Sequence, residues 1–453
     1  MPMFRPVTHR LGSVALLAAL AGCGGGSAPS GEALATGVLS DSPVEGVQYL
    51  RNGVAAGSTD ILGQFRYMTG ESLEFRIGAL SLGTVTGTGS AMTVTPLQLV
   101  QGLSLTEAAR AHRVTNLLVL LQSLDDDGDP DNGIRIPAAA IAALDTNAEA
   151  ATLDLNADPA VFFADTDLDA IVTAINAVDP TPLAAKPASV AAALDHFETQ
   201  FLSSLAGSWL GSIDNNAAAF RFRNNGNYLM GEVGVAGGGG TSGLELGSID
   251  WDPASGFVTV ATPVPDTNGG WGLSYISAVA LPNRVQLTLD GDELVVTERN
   301  ASTGAALPSF RIPRHYDSAS ALTGTWAKDS AYALTALHLF MRSDGLVMAV
   351  NPAADKSLLG RTASGCAQPG VEFGNYSQGT GFLIFSGISL YDTDGCGGLH
   401  DANLAPDYLG NNLHVSPVLS GTNYAVSMGW SWSTTAGTQA ATLYRASNSV
   451  PPP

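Results

Sequence analysis

The densest run of ligand-forming side chains is Asp125-Asp126-Asp127-Gly128-Asp129-Pro130-Asp131-Asn132-Gly133. Hard cations such as Ca2+ are held by about six to eight oxygens from carboxylates and carbonyls. Asp125, Asp127, Asp129 and Asp131 alternate as such a loop requires, and carboxylates this dense repel one another unless a cation or solvent screens them. The run is not an EF-hand, because Pro130 stands where that loop needs Gly and no Glu closes it. A Ca2+ loop and a solvated turn whose Asp and Asn side chains cap the backbone both fit it.

A second group of carboxylates lies further along. Asp266-x-Asn268-Gly269 and Asp392-x-Asp394-Gly395 read as hairpin turns, with Ca2+ binding as the lesser alternative. Glu245 with Asp266, or Glu372 with Asp394, could supply the acid pair of glycoside hydrolysis, but that chemistry is set by a separation the sequence does not fix. Outward strand residues or internal hydrogen-bond partners is the plainer reading of both glutamates. There is no Gly-x-Ser-x-Gly, His-Glu-x-x-His, P-loop or Gly-x-Gly-x-x-Gly opening a helix. His112, His196, His315, His338, His400 and His414 form no spaced metal motif, and His400-Asp401 is the nearest thing to a polar cluster. The expectation is therefore a protein that is not an enzyme.

Composition narrows the class. The 453 residues carry a net charge of -21, so nucleic acid is excluded as a partner by repulsion. Hydrophobic residues make up 45%, enough for several cores, while 52 Gly, 24 Pro and only 13% charged residues suggest a turn-rich, mainly β chain. At this length more than one domain is expected.

The N-terminus has Arg5 and Arg10, an apolar run from Leu11 to Leu20, and then Leu20-Ala21-Gly22-Cys23. Such a run is a secretory signal, too short to span a bilayer. The last four residues resemble the lipobox of bacterial lipoproteins. That resemblance implies cleavage before Cys23, acylation of the cysteine, and a membrane partner reached through the lipid. Gly24, with no Asp there, implies outer-membrane sorting, with the protein facing the periplasm or the cell surface.

The expected layout is a signal at 1–22, a flexible tether at 23–35, a β module at 36–103, a helical bundle at 104–204, and β repeats at 205–315 and 320–448. In the module, Leu73, Phe75 and Ile77 alternate between Gly and Asp turns. Gly57-x-Thr59-Asp60-x-x-Gly63-x-Phe65 resembles the immunoglobulin- or transthyretin-like modules of the Cna-B and carboxypeptidase-regulatory type, which implies a sandwich acting as a spacer or stalk. The bundle is predicted to hold helices from Thr106, from Pro137, over 159–177 and from Pro187. Its segment Val114–Pro137 resembles exported bacterial lipoproteins in which a strand like Thr95-Pro96-Leu97 precedes it.

The C-terminal half repeats. Leu205-Ala206-Gly207-Ser208-Trp209 matches Leu322-Thr323-Gly324-Thr325-Trp326. Gly243-Leu244-Glu245-Leu246-Gly247 matches Gly370-Val371-Glu372-Phe373-Gly374, and Asp266–Leu273 matches Asp392–Leu399. Short alternating strands suggest two antiparallel barrels or sandwiches. Gly-x-Trp on the first strand with Arg on the last resembles the calycins, and this implies a cation–π pair of Trp209 with Arg311 and of Trp326 with Arg445. Cys366 and Cys396 have no counterparts in the first repeat, so their joint gain in an exported chain argues for a disulfide. The leading expectation is a lipid-anchored, non-catalytic binding or adhesion protein of the envelope, with an unknown envelope or extracellular partner. A carrier of a small apolar ligand in calycin-like barrels is the alternative, and an envelope glycan hydrolase is the third.

Overall fold

The computed structural model describes residues 34–446 except 90, 147–151, 179–183, 214–215, 235–240, 262, 271, 279–282, 301–304, 318–321, 356–366, 381, 389–390, 400–412, 423–424 and 435–436. The signal, Cys23, most of the tether, Cys366 and His400-Asp401 lie outside the described residues. The chain is mainly β, with a set of helices in its first half.

Strands β1 (Ala35–Leu39), β2 (Val44–Glu45), β3 (Gln48–Arg51), β4 (Val54–Ser58), β5 (Gln64–Tyr67), β6 (Ser72–Ile77), β7 (Leu80–Thr86) and β8 (Met92–Val94) come first. They form one sheet in the order β5-β1-β8 and another in the order β4-β3-β6-β7. Period-two burial of Phe65 and Tyr67, and of Leu73, Phe75 and Ile77, gives each sheet one apolar face. The faces meet where Phe65 and Phe75 pack edge-on at 4.9 Å between ring centres.

Helices α1 (Pro96–Gln101) and α2 (Glu107–Ser123), strand β9 (Ile134–Arg135), and helices α3 (Ala138–Thr146), α4 (Pro159–Phe163), α5 (Thr166–Val178) and α6 (Val190–Leu205) follow. Thr95-Pro96-Leu97 is a helix start where an extended strand was expected. Thr95 and Gln98 make a reciprocal capping box and Pro96 occupies the first turn, where its missing N–H costs nothing. The helix expected over 159–177 breaks after α4, and the Asp165 carboxylate there accepts from Asp167 N. From Val114 to Ser123 every residue of α2 is buried, so this helix is the axis of the N-terminal half.

Strands β10 (Gly207–Ile213), β11 (Asn216–Phe222), β12 (Asn227–Val233), β13 (Gly243–Trp251) and β14 (Val258–Val260) make a five-stranded meander. Helix α7 (Gly272–Ala278) separates it from a three-stranded sheet of β15 (Asn283–Asp290), β16 (Glu293–Asn300) and β17 (Ala306–Pro313). Bridges Phe257–Gln286 and Trp209–Arg314 link the two sheets at both seams. Strands β18 (Gly324–Ala327), β19 (His338–Met341), β20 (Leu346–Asn351), β21 (Gly370–Gly379), β22 (Phe382–Ser386), β23 (Leu413–Thr422), β24 (Ala425–Thr434) and β25 (Gly437–Arg445) form a closed eight-stranded barrel. Each repeat thus has five strands, an insertion, and three more strands.

One continuous apolar core runs from Leu39 through α2 and α6 to Ile312. The N-terminal half is fused to the first repeat by it: Phe201 on α6 stacks on Trp251 of β13 at 3.8 Å. A separate core fills the second barrel, with Trp326, Leu339, Met341, Val347, Leu383, Phe385 and Leu443. A third joins the outsides of the two repeats, bringing Leu210, Leu229 and Leu244 against Phe340, Met348, Val350 and Val371. These strands are therefore apolar on both faces, which blurs the alternation that marks a half-exposed strand.

Candidate functional site

Period-two alternation fixes what points inward. With Leu229 and Leu244 turned to the neighbouring repeat, Glu232 and Glu245 face the interior of the first. With Met348, Val350, Val371 and Phe373 turned outward, Asn351 and Glu372 face the interior of the second. The insertion between the fifth and sixth strands then folds back as a plug beside each glutamate.

The plug docks the same way twice. Thr267 N donates to Leu244 O and Leu244 N to Thr267 Oγ1, both at 2.9 Å, while Thr241 N donates to Asn268 O at 3.0 Å. In the second repeat Thr393 N donates to Val371 O at 2.9 Å, Val371 N to Thr393 Oγ1 at 2.8 Å, and Gln368 N to Asp394 O at 3.0 Å. Asp266-x-Asn268 and Asp392-x-Asp394 are thus edge contacts on the strand that bears the glutamate, and not hairpin tips. Gly272 and Gly398 have positive φ, and a Cβ at either would strike the carboxylate of Glu245 or Glu372. Both plugs need glycine there for conformation and for close approach.

Aligning β12 with β20 and plug with plug shows a reciprocal exchange. Glu232 and Asn268 of the first repeat stand where Asn351 and Asp394 stand in the second. Each repeat therefore gathers three carboxyls and one carboxamide where wall and plug meet: Glu232, Glu245, Asp266 and Asn268 in one, with Asp266 exposed, and Glu372, Asp392, Asp394 and Asn351 in the other, with Asp392 half-buried. Glu232 and Asn351 were missed in the sequence, although the spacing of Phe222-Arg223 from Met341-Arg342 would have paired them.

The donors differ. Glu245 accepts from Tyr228 Oη at 2.8 Å and from Ser274 Oγ at 2.6 Å. The residue equivalent to Tyr228 is Val347, packed in the second barrel's core. Glu372 accepts from Leu399 N at 2.5 Å, and Asn351 Nδ2 donates to Asp394 Oδ2 at 2.8 Å. Burial pushes the Glu232 carboxyl up to about 8, helped by the Glu245 charge and opposed by Asn268. Burial also pushes Asp394 up to about 8, with the Asn351 amide opposing and Asp392 adding to the rise.

The structure brings Glu245 beside Asp266, whose backbones form an isolated bridge, and Glu372 beside Asp394. Glu245, Glu372 and Asp394 are all 0% exposed, whereas Asp266 is exposed. Two clefts among the described residues, of about 640 and 690 Å3, are open to solvent and are lined by neither glutamate.

The Asp125–Asp131 loop folds differently from the alternating ligand set. Oxygens of Asp125, Asp126 and Asp127 lie within 4.8 Å of one another. Asp129 instead caps the short turn Pro130–Asn132, and Asp131 turns to His196 Nδ1 at 3.1 Å. Asp125 is buried, with Oδ1 accepting from Arg135 N at 2.9 Å. Its carboxyl is pushed up to about 6, by burial first. Ser42 Oγ lies 3.1 Å from His196 Nε2, so Ser42, His196 and Asp131 have the order of a hydrolytic triad. Ser42 is 2% exposed and donates to Pro130 O at 2.6 Å, which makes the group a clasp between loop and helix.

At the barrel seams the Arg445 guanidinium lies over Trp326, 4.6 Å from the ring centre. Over Trp209 the cation is Arg314, at 4.1 Å, and not Arg311. Arg311 Nη2 reaches out to Asp290 at 2.6 Å, and its Nη1 pairs with Glu293. The register explains the correction. Arg314 is bridged to Trp209, whereas Arg311 sits earlier on β17 opposite Val295. No protein-family model matches the chain, no curated protein matches its sequence, and no solved structure matches its fold. Cys396 is buried within the second plug. No helix among the described residues is long and apolar enough to cross a membrane.

Proposed function

We propose that the chain is a lipid-anchored envelope or surface protein, tethered through Cys23 to the outer membrane, that acts by binding on its outer faces in a non-catalytic, adhesive role. The carrying observation is the packing of the described interior side chains of the second repeat. Trp326, Leu339, Met341, Val347 and Phe385 occupy the second interior, and a plug hydrogen-bonded to the barrel wall closes on Glu372. A carrier needs a cavity for its ligand, and the packing of these described side chains against one another favours the non-carrier reading. The Trp–Arg stacks support a calycin-like reading of both repeats, and the aromatic contact between the first two sheets supports an immunoglobulin-like one. A pairing of Cys366 with Cys396 is supported by the burial of Cys396 and by its carrying no free thiol.

The test is photo-cross-linking on intact cells, with reactive groups placed at exposed Val54 and Ile61 and, separately, at interior Leu339. Macromolecular adducts at the exposed positions support the reading. Small-molecule adducts at Leu339 alone would overturn it.

A calcium ion on the Asp125–Asp127 loop belongs to the same proposal. Asp125 Oδ2 is buried and no hydrogen-bond donor reaches it among the described residues. A cation bound by Asp125, Asp126 and Asp127 would supply what the protein does not.

A further inference from the structure

We propose that Glu372, Asp392 and Asp394 bind one hard divalent cation of the Ca2+ class inside the plugged end of the second β repeat. One oxygen from each carboxylate lies within 4.8 Å of the other two. Asp394 is 0% exposed, and its Oδ1 meets no donor among the described residues. Its other oxygen is held by Asn351 Nδ2, whose own Oδ1 accepts from Asp355 N at 2.7 Å, so the carboxylate is oriented from behind.

The first repeat serves as an internal control. Its three carboxyls are spread over two strands and a plug, and Glu245 is met by the hydroxyls of Tyr228 and Ser274. The exchange of Glu232 and Asn268 for Asn351 and Asp394 moves an acid from the barrel wall into the plug, next to Asp392. The replacement of Tyr228 by Val347 removes a hydroxyl donor in the same repeat. The exchange places two acids on one plug segment, the loss of Tyr228 removes a donor from the glutamate, and a buried carboxylate oxygen without a partner, such as Asp394 Oδ1, is strongly disfavoured. Two carboxylates beside the Gly-rich segment Gly395-Cys396-Gly397-Gly398 and a third from β21 are the oxygen donors that Ca2+ takes. The competing occupant is a proton shared between Asp392 and Asp394.

Calcium alone, titrated calorimetrically into the chelator-treated full mature chain, separates the two. The Asp127→Ala chain removes the N-terminal loop from consideration and is expected to keep one Ca2+ equivalent. In that background Asp394→Asn, an isostere of the protonated acid, should weaken this equivalent at least ten-fold. Glu372→Gln is read in the same way if Asp394→Asn does not fold. In the Asp127→Ala chain, Ca2+ should also slow hydrogen exchange of the Asp394–Leu399 amides. Absence of any equivalent in the Asp127→Ala chain, or its retention at full affinity in Asp394→Asn, would overturn the site. Loss of Ca2+ binding by Asp127→Ala alone would leave the loop as the sole site and would equally refute this proposal.

Discussion

Arg445 and Trp326 are directly paired residues on the last and first strands of the second barrel, and the Arg445 guanidinium carbon stands 4.6 Å from the centre of the Trp326 ring. The contact is fully buried and closes the barrel. A desolvated cation–π contact contributes about 2 kcal/mol. Arg445→Met should therefore destabilise the second repeat by about 2 kcal/mol in urea unfolding. Arg311→Ala, which removes only half-exposed surface pairs, should change stability by less than about 1 kcal/mol. Equal effects of the two variants would show that the stack adds nothing.

Phe201 joins α6 to the first repeat through Trp251. Truncation of a buried Phe typically costs about 3–5 kcal/mol, so Phe201→Ala should lower the melting temperature of residues 35–313 and open the α6 segment to proteolysis. The second barrel has its own core and should keep its protection. Loss of protection in both repeats together would contradict the separate cores.

The buried acids give a pH signature. Glu232 and Asp394 both have folded-state values of about 8, against about 4 for unfolded carboxyls. The native chain then binds more protons than the unfolded chain between about pH 4 and pH 8, so stability falls as pH rises through that window. With a chelator present, urea midpoints should decline from pH 5 to pH 8, and Asp394→Asn should flatten the decline. A midpoint that rises over this interval in both chains would rule the assignment out.

Pairing of Cys366 with Cys396 closes a loop of about 30 residues and should contribute roughly 3–4 kcal/mol. Non-reducing peptide mapping should find the two peptides joined, and reduction should lower the melting point of the second barrel. Free thiols at both positions in export-matured protein would contradict the pairing.

At the N-terminal loop, Ca2+ should raise the melting temperature of the helical region, and Asp127→Ala should abolish the gain. No shift at millimolar Ca2+ would reduce the loop to a capped turn.

Much of the architecture was readable in the sequence because local rules and tertiary context agree there. Phe65, Tyr67, Leu73 and Phe75 alternate and end up on facing sheets, and Val114–Leu121 keeps helical spacing on a helix that is buried. The matched Gly-x-Glu-x-Gly and Asp-Thr blocks are the strand and plug that dock in each repeat. The failures have specific causes. Asp266 and Asp392 carry the residues of a tight turn, but their segments are held by main-chain bonds to a distant strand, which turn preference does not encode. Arg311 and Arg314 differ by three positions, and only the register of β17 against β10 decides which one reaches Trp209. Glu232 and Asn351 stay hidden because the exchange with Asn268 and Asp394 makes neither position look preserved, although the repeat offset aligns them. The alternation of Asp125, Asp127, Asp129 and Asp131 suggested convergence, but Asp131 is drawn away by His196.

The central claim is that the β repeats are not carriers and that the protein binds through its outside. Native mass spectrometry of the mature chain, extracted from its own envelope and then denatured, tests it most directly. The account predicts the mass of the acylated polypeptide with metal ions only. A stoichiometric apolar small molecule released on denaturation would contradict it and make the barrel interior the site.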